Sequence, residues 1–184
     1  MVTTPIKLTS ISKFLSLVLR HQPQEIGLVL DPAGWARVDE LLQKLAAAGW
    51  PVSMTQLREV VETNDKKRFT FNEDESLIRA SQGHSIAIDL DLPVVTPPPV
   101  LYHGTATRFL AAIMSEGLDR RSRQHVHLTE SVDTALSVGS RYGAPVLLKI
   151  DVQRMVSAGH QFRCSANGVW LVDGVPPEFI QPDA

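Results

Sequence analysis

The chain has one cysteine, Cys164. It can form no intrachain disulfide, and every cysteine-rich metal site is excluded. A lone cysteine of this kind reads as a small buried apolar residue. A basic excess is missing too. The formal net charge is -2 at pH 7, which argues against an extended cationic groove for nucleic acid. No apolar run approaches the length of a membrane span, and Met1-Val2-Thr3-Thr4-Pro5 lacks the design of a signal peptide. A soluble, cytoplasmic protein with no membrane partner is expected. There is no glycine-rich loop of the dinucleotide-binding or P-loop type, and no His-Glu-x-x-His motif. What the chain does have is 43% hydrophobic residues over 184 positions, enough to build one large core or two small ones.

Leu92-Pro93-Val94-Val95-Thr96-Pro97-Pro98-Pro99 can be neither helix nor central strand and reads as a stiff extended linker between two lobes. Before it, Ile11, Phe14, Leu15, Val18 and Leu19 repeat at the spacing of one buried helix face. A second helix is expected over Val38 to Ala48, with Leu41, Leu42 and Leu45 inward and Gly49 as its stop. A third starts at Ser53, with Gln56 as capping-box partner and Met54, Leu57, Val60 and Val61 inward. Arg68 to Phe71 and Leu77 to Ala80 form a hairpin, and Gly27 to Leu30 is extended ahead of a turn at Asp31-Pro32-Ala33-Gly34. Three helices and a hairpin follow the plan of a winged-helix module.

After the linker the pattern is α+β. Strands are expected at Val100-Leu101-Tyr102 running into His103-Gly104-Thr105, at His125 to Leu128, at Val146 to Ile150 and at Gly168 to Val172. Helices are expected over Thr107 to Glu116, with Phe109, Leu110, Ile113 and Met114 inward, and over Thr134 to Val138. This is a small mixed or antiparallel sheet with few covering helices.

Chemistry-bearing residues gather in a few places. Pro23 biases its neighbour away from the helix, so Arg20 and His21 fall in the last turn of the first helix. Such a pair can grip a phosphate, or simply complement the negative end of the helix dipole. Lys66-Lys67-Arg68 and Arg120-Arg121-Ser122-Arg123 are cationic knots suited to a small phosphate pocket. His84 and Ser85 in Gln82-Gly83-His84-Ser85, and Tyr102-His103-Gly104-Thr105, each set a histidine beside a glycine and a hydroxyl. Either could be a turn with a satisfied histidine. Either could also bond ribose or amide groups of a ligand brought close by the glycine. His125 and His127 share one face of a strand, as two zinc ligands could, but nothing supplies the rest of a shell. His160 reads as loop surface.

Together these segments resemble the RNA 2′-phosphotransferase family. The resemblance is carried by Ser12 to His21, Gly34-Trp35, Lys66-Lys67-Arg68-Phe69, Gln82-Gly83-His84-Ser85, Leu101-Tyr102-His103-Gly104-Thr105, Arg123 with His125-Val126-His127-Leu128, and Asn167-Gly168-Val169-Trp170, in family order. Two departures stand out: Thr129 occupies a position where serine is usual, and Ile86 to Pro99 matches little. The resemblance implies a winged-helix RNA-binding lobe over residues 1–92. It also implies an NAD-binding, ADP-ribosyltransferase-like lobe over 98–184. The family's essential Arg-His-Arg-Arg set matches Arg20, His21, Arg68 and Arg123. NAD, as co-substrate, is expected against His84, Ser85, Tyr102, His103, Gly104, Thr105 and His127. The implied reaction moves an internal RNA 2′-phosphate, such as that left by tRNA splicing, onto NAD through an ADP-ribosylated RNA. It yields 2′-hydroxyl RNA, nicotinamide and ADP-ribose 1″,2″-cyclic phosphate, with no metal and no obligate protein partner.

That chemistry suits the composition. A phosphate is already anionic, so it needs positive charge and positioning rather than a base. The late strand Gly168 to Val172 accordingly has no glutamate of the kind that protein-modifying ADP-ribosyltransferases use. Two other readings compete. One is an ADP-ribosyltransferase that modifies phosphorylated nucleic-acid ends without the second step. The other is a winged-helix nucleic-acid-binding protein with an inert second domain. Against the latter, the third helix carries Arg58 beside Glu59 and Glu62 and is not strongly basic.

Overall fold

The structure is a computed structural model, and residues 7–183 are described. Met1 to Pro5, read above for the lack of a signal-peptide design, lie outside the described residues. The architecture is α+β, and the chain divides into two compact units at Asp91/Leu92. No helix among the described residues is long and apolar enough to cross a membrane.

The first unit is built on α1 (Leu8–Arg20). Ile11, Leu15, Val18 and Leu19 are buried, as their spacing requires, and Phe14 stacks on Trp50 at 4.5 Å between ring centroids. A 3-10 turn, Pro23–Ile26, follows. β1 (Ala36–Arg37) leads directly into α2 (Val38–Ala47), which is closed through Ala48 before Gly49 at φ +83°. α3 (Met54–Glu62) starts with the expected reciprocal cap: Gln56 N–H donates to Ser53 Oγ, and Ser53 N–H donates to Gln56 Oε1. Such caps contribute about 1 kcal/mol. β2 (Phe69–Phe71) and β3 (Leu77–Ala80) pair antiparallel, and β1 adds on the far side of β3. A two-residue strand carries no alternation, so β1 has no signature in the sequence. The Asp31 turn is drawn tight by its own carboxylate, which accepts from the N–H groups of Ala33 and Trp35.

The second unit opens on the proline-rich stretch. It is extended, with Val95 N–H donating to the Phe162 carbonyl at 2.9 Å. The strands are β4 (Val100–Ala106), β5 (Leu118–Asp119), β6 (Val126–Leu128), β7 (Pro145–Asp151), β8 (Arg163–Cys164), β9 (Trp170–Val172), β10 (Gly174–Val175) and β11 (Ile180–Asp183). They form antiparallel sheets in the orders β11-β7-β4, β6-β9-β8 and β10-β5. Backbone bonds between Tyr102 and Thr129 tie β4 to the end of β6. The helices are α4 (Thr107–Glu116), α5 (Val132–Gly139) and α6 (Val152–Ser157).

Several details differ from the sequence reading. α4 buries only Ile113 fully, and Phe109 and Met114 are exposed, because the helix rests on the unit along one narrow row. Phe109 is covered in part by the edge of Tyr142 and by the Arg108 guanidinium, 4.7 Å from its ring centroid. Gly168 lies before the strand, in a turn at φ +75° closed by the Ser165 carbonyl. His160 is half-buried with its ring edge-on to Phe179. Cys164 is half-buried, and burial pushes its thiol pKa up.

Two glycines govern how α5 lies on β4. A Cβ on Gly104 would sit 1.6 Å from the Ala135 carbonyl oxygen, and one on Gly139 would sit 2.4 Å from the Thr105 oxygen. Helix and strand therefore meet backbone on backbone. The space expected at Gly104 for a ligand is, on its Cβ side, filled by α5. Gly104→Ala should lower the unfolding free energy by about 3 kcal/mol or more, since the obstruction is backbone and cannot rotate away. Urea unfolding would measure this, and a loss below about 1 kcal/mol would refute the close crossing.

Candidate active site

In the first unit, Arg20 is the last residue of α1 and His21 closes the helix. The Arg20 guanidinium lies 5.9 Å from the centroid of the Phe69 ring and donates from Nη2 to the Arg68 carbonyl at 3.2 Å. That contact joins the helix end to the start of the hairpin. Arg68 in turn donates from Nη1 to Asn64 Oδ1, and Asn64 Nδ2 donates to Ser12 Oγ at 3.0 Å on α1. On the other side, His21 Nδ1 is 2.9 Å from Ser85 Oγ, and Ser85 N–H donates to the Arg20 carbonyl. Arg20, His21, Arg68, His84 and Ser85, spread over more than sixty positions, thus meet at one end of α1.

The second unit gathers its own group. Arg123, at the exposed end of the loop before β6, donates from Nη1 to His127 Nδ1 at 2.8 Å. The His127 carbonyl accepts from His103 Nδ1 at 3.0 Å. This fixes the His103 tautomer, with Nε2 as the acceptor nitrogen. Burial holds the His103 pKa below its ordinary value, and nearby Arg123 adds to the effect, while the bond to the His127 carbonyl opposes them. Tyr102 and His103 are half-buried, and Thr105 is buried. His125 Nε2 lies 3.8 Å from Asp173 Oδ1. Among the described residues, no three His, Cys, Asp or Glu side chains are grouped as a metal would need.

Residues 7–174 match the profile of the family described as "RNA 2'-phosphotransferase, Tpt1 / KptA family". The chain belongs to this family. It is 55% identical over 174 residues to a protein of Hahella chejuensis named "Probable RNA 2'-phosphotransferase", with 95% of this chain and 94% of that one covered. A protein of the same name from Agrobacterium fabrum is 53% identical, with 96% and 95% covered. One from Burkholderia pseudomallei is 52% identical, with 94% of each covered.

Within this RNA 2′-phosphotransferase, Asn64 is the site neighbour that sequence reading missed. An Asn-Asp pair before a basic run signals only a turn, and its grip on Arg68 and Ser12 exists only once α1 and the hairpin are packed. His84 is the other surprise. It is 1% exposed, and neither ring nitrogen has a hydrogen-bond partner in the structure. Burial, reinforced by the charges of Arg20, His21 and Arg79, pushes its pKa down to about 4. His84 is therefore a neutral ring beside Arg20 and His21.

This has a consequence for stability. The unfolded ring takes a proton below its ordinary pKa of 6.5, while the folded ring does not until about 4. The stability tied to the neutral ring is full above pH 6.5 and is lost as pH falls through that window. Between pH 7.5 and pH 5 the loss from His84 should be about 2 kcal/mol. Urea unfolding at both pH values should show a smaller loss in His84→Leu by that amount. Equal losses in the two proteins would mean that His84 is not held neutral.

Proposed function

We propose that this chain removes an internal 2′-phosphate from RNA by transferring it to NAD. In this reading the first unit is a winged-helix RNA-binding lobe and the second an ADP-ribosyltransferase-like, NAD-binding lobe. The enzyme works in the cytoplasm. The carrying observation is the junction of Arg20, His21, Arg68 and Ser85 at the end of α1, in a chain that belongs to the RNA 2′-phosphotransferases.

Arg20 and Arg68 supply fixed positive charge for a dianionic phosphate, and both guanidinium groups are oriented by carbonyl or amide oxygens. His21, its ring set by Ser85, is the group that would carry a proton to or from the transferred phosphate. Arg123 adds charge where negative charge grows on phosphorus, and His127 orients it. NAD, when bound, offers a ribose carbon with a good leaving group and a neighbouring hydroxyl that later takes the phosphate. The residues fit such a molecule. His103, neutral and half-buried with Nδ1 committed to the His127 carbonyl, turns an acceptor nitrogen to a ribose hydroxyl. With Tyr102, Gly104, Thr105 and His127 it makes up the NAD-contacting group of this reading, and the close packing of α5 on β4 comes from the missing side chains of Gly104 and Gly139. His84 and Ser85, expected to contact NAD, also support Arg20 and His21 through the two bonds that Ser85 makes.

The test is a 2′-phosphorylated RNA oligonucleotide incubated with and without NAD. NAD-dependent loss of the phosphate, unaffected by EDTA, with nicotinamide and a cyclic-phosphate ADP-ribose as products, is expected. A stable ADP-ribosylated end instead of the cyclic phosphate would establish an end-modifying transferase. Activity without NAD, or activity lost in EDTA and restored by a metal, would refute the reading.

Arg68→Ala and Arg123→Ala should slow the second step more than the first, because charge accumulates on phosphorus only there. Each should cost about 10²–10³-fold in that step, so ADP-ribosylated RNA should accumulate in rapid-quench samples. Variants that stop before nicotinamide release would show instead that these arginines only position the substrate.

A further inference from the structure

A groove of about 600 Å³ runs along the exposed face of α1 in the first unit. One wall is the helix face carrying Ser12, Lys13 and Ser16 and ending at Arg20. The other is the chain leaving α3, with Asn64, Lys66 and Arg68. We infer that this groove binds a backbone phosphodiester of the RNA next to the phosphate that is removed, with Lys13 and Lys66 as its cationic contacts. This inference rests on the reading given under Proposed function.

Three observations carry it. The first is charge. Lys13, Arg20, Lys66 and Arg68 line the groove against one acid, Asp65, although the whole chain is slightly acidic. The cations are therefore concentrated here, as a polyanion's site requires. The second is length. Lys13 stands about 10 Å before Arg20 along the helix at about 1.5 Å per residue. Successive phosphates of a stacked strand are about 3.4 Å apart along its axis. The groove is thus too long for one phosphate and fits the nucleotides beside it.

The third is rigidity. Lys67 adopts φ +40°, a left-handed conformation that costs a lysine about 1 kcal/mol or more. It is held there by three contacts: Lys67 N–H donates to the Asn64 carbonyl, Ser81 Oγ donates to the Lys67 carbonyl, and Asn64 Oδ1 accepts from Lys66 N–H. Ser81 is itself buried. The sharp turn sets Lys66 and Arg68 on the same wall, and Asn64 pins that wall to Ser12 of α1. Loosely solvated surface lysines would need no such bracing.

The experiment uses a fluorescein-labelled, 2′-phosphorylated RNA trinucleotide, with anisotropy read in the absence of NAD over a salt series. Lys13→Ala/Lys66→Ala should bind about 10-fold more weakly. Its slope of log K against log salt should flatten by about 0.7 for each phosphate no longer neutralised. With NAD present, KM should rise by a similar factor and kcat should stay as in the parent. Lys13→Arg/Lys66→Arg should restore binding. Wild-type protein gives an arm that does not depend on variants: the trinucleotide should bind more tightly, and with a steeper salt slope, than a 2′-phosphorylated mononucleoside.

Binding by the double alanine variant within two-fold of wild type and at unchanged slope would overturn the groove. So would equal slopes for the two ligands on wild-type protein. Groove-dependent binding without any NAD-dependent dephosphorylation would leave the groove standing and remove the proposed reaction. Normal turnover with unchanged variant binding would do the reverse.

Discussion

The hydrogen bond from Arg20 to the carbonyl of Arg68 closes a gap of 48 residues and holds the candidate site of the first unit together. Its donor is the last residue of a helix whose inner face is buried, so its position is set by the core. Its acceptor is the residue before a strand whose first side chain, Phe69, is also core. Two anchored elements therefore meet at their polar ends. The guanidinium is set over the Phe69 ring, and losing the contact would unfasten the end of α1 from the start of the hairpin, while the Arg68 side chain stays held by Asn64. Site precision here is inherited from core packing, since helix and strand ends move less than loops do.

The second unit solves a similar problem with glycines. α5 can lie on β4 only because Gly104 and Gly139 present no side chain at the crossing. The Tyr102–Thr129 backbone bonds then bring β4 and β6 side by side. That is what lets the His103 ring reach the His127 carbonyl and leaves His127 Nδ1 for Arg123. A glycine next to the histidine thus serves the site from behind, by positioning the strand that carries it.

Buried His84 links stability to the same region. A neutral imidazole without a hydrogen-bond partner beside two basic side chains is a poor contribution to folding. Its neighbour Ser85 nonetheless orients His21, and its own ring fills the space by Gly34, where a Cβ would come within 3.5 Å of Nε2. The segment is held in place by packing, and its polar cost is borne where the site needs a rigid floor.

Much of this was legible in the sequence because it is periodic or local. The buried faces of α1 and α3, the Ser53–Gln56 cap, the β2–β3 hairpin and the end of α1 before Pro23 follow from spacing, capping and proline chemistry within a few residues. The family's segments named Arg20, His21, Arg68 and Arg123. Short strands such as β1 and β5 carry too few residues to show a pattern, and α4's exposed Phe109 and Met114 follow the helical period but not the burial it suggests. The chain by itself determined which residues are basic, which face of each helix is apolar and where elements stop. Only the tertiary structure decided that Asn64 braces Arg68, that His84 is sealed neutral and that Gly104 serves a helix crossing. Each of these depends on groups far apart in sequence meeting at distances that local propensity does not encode.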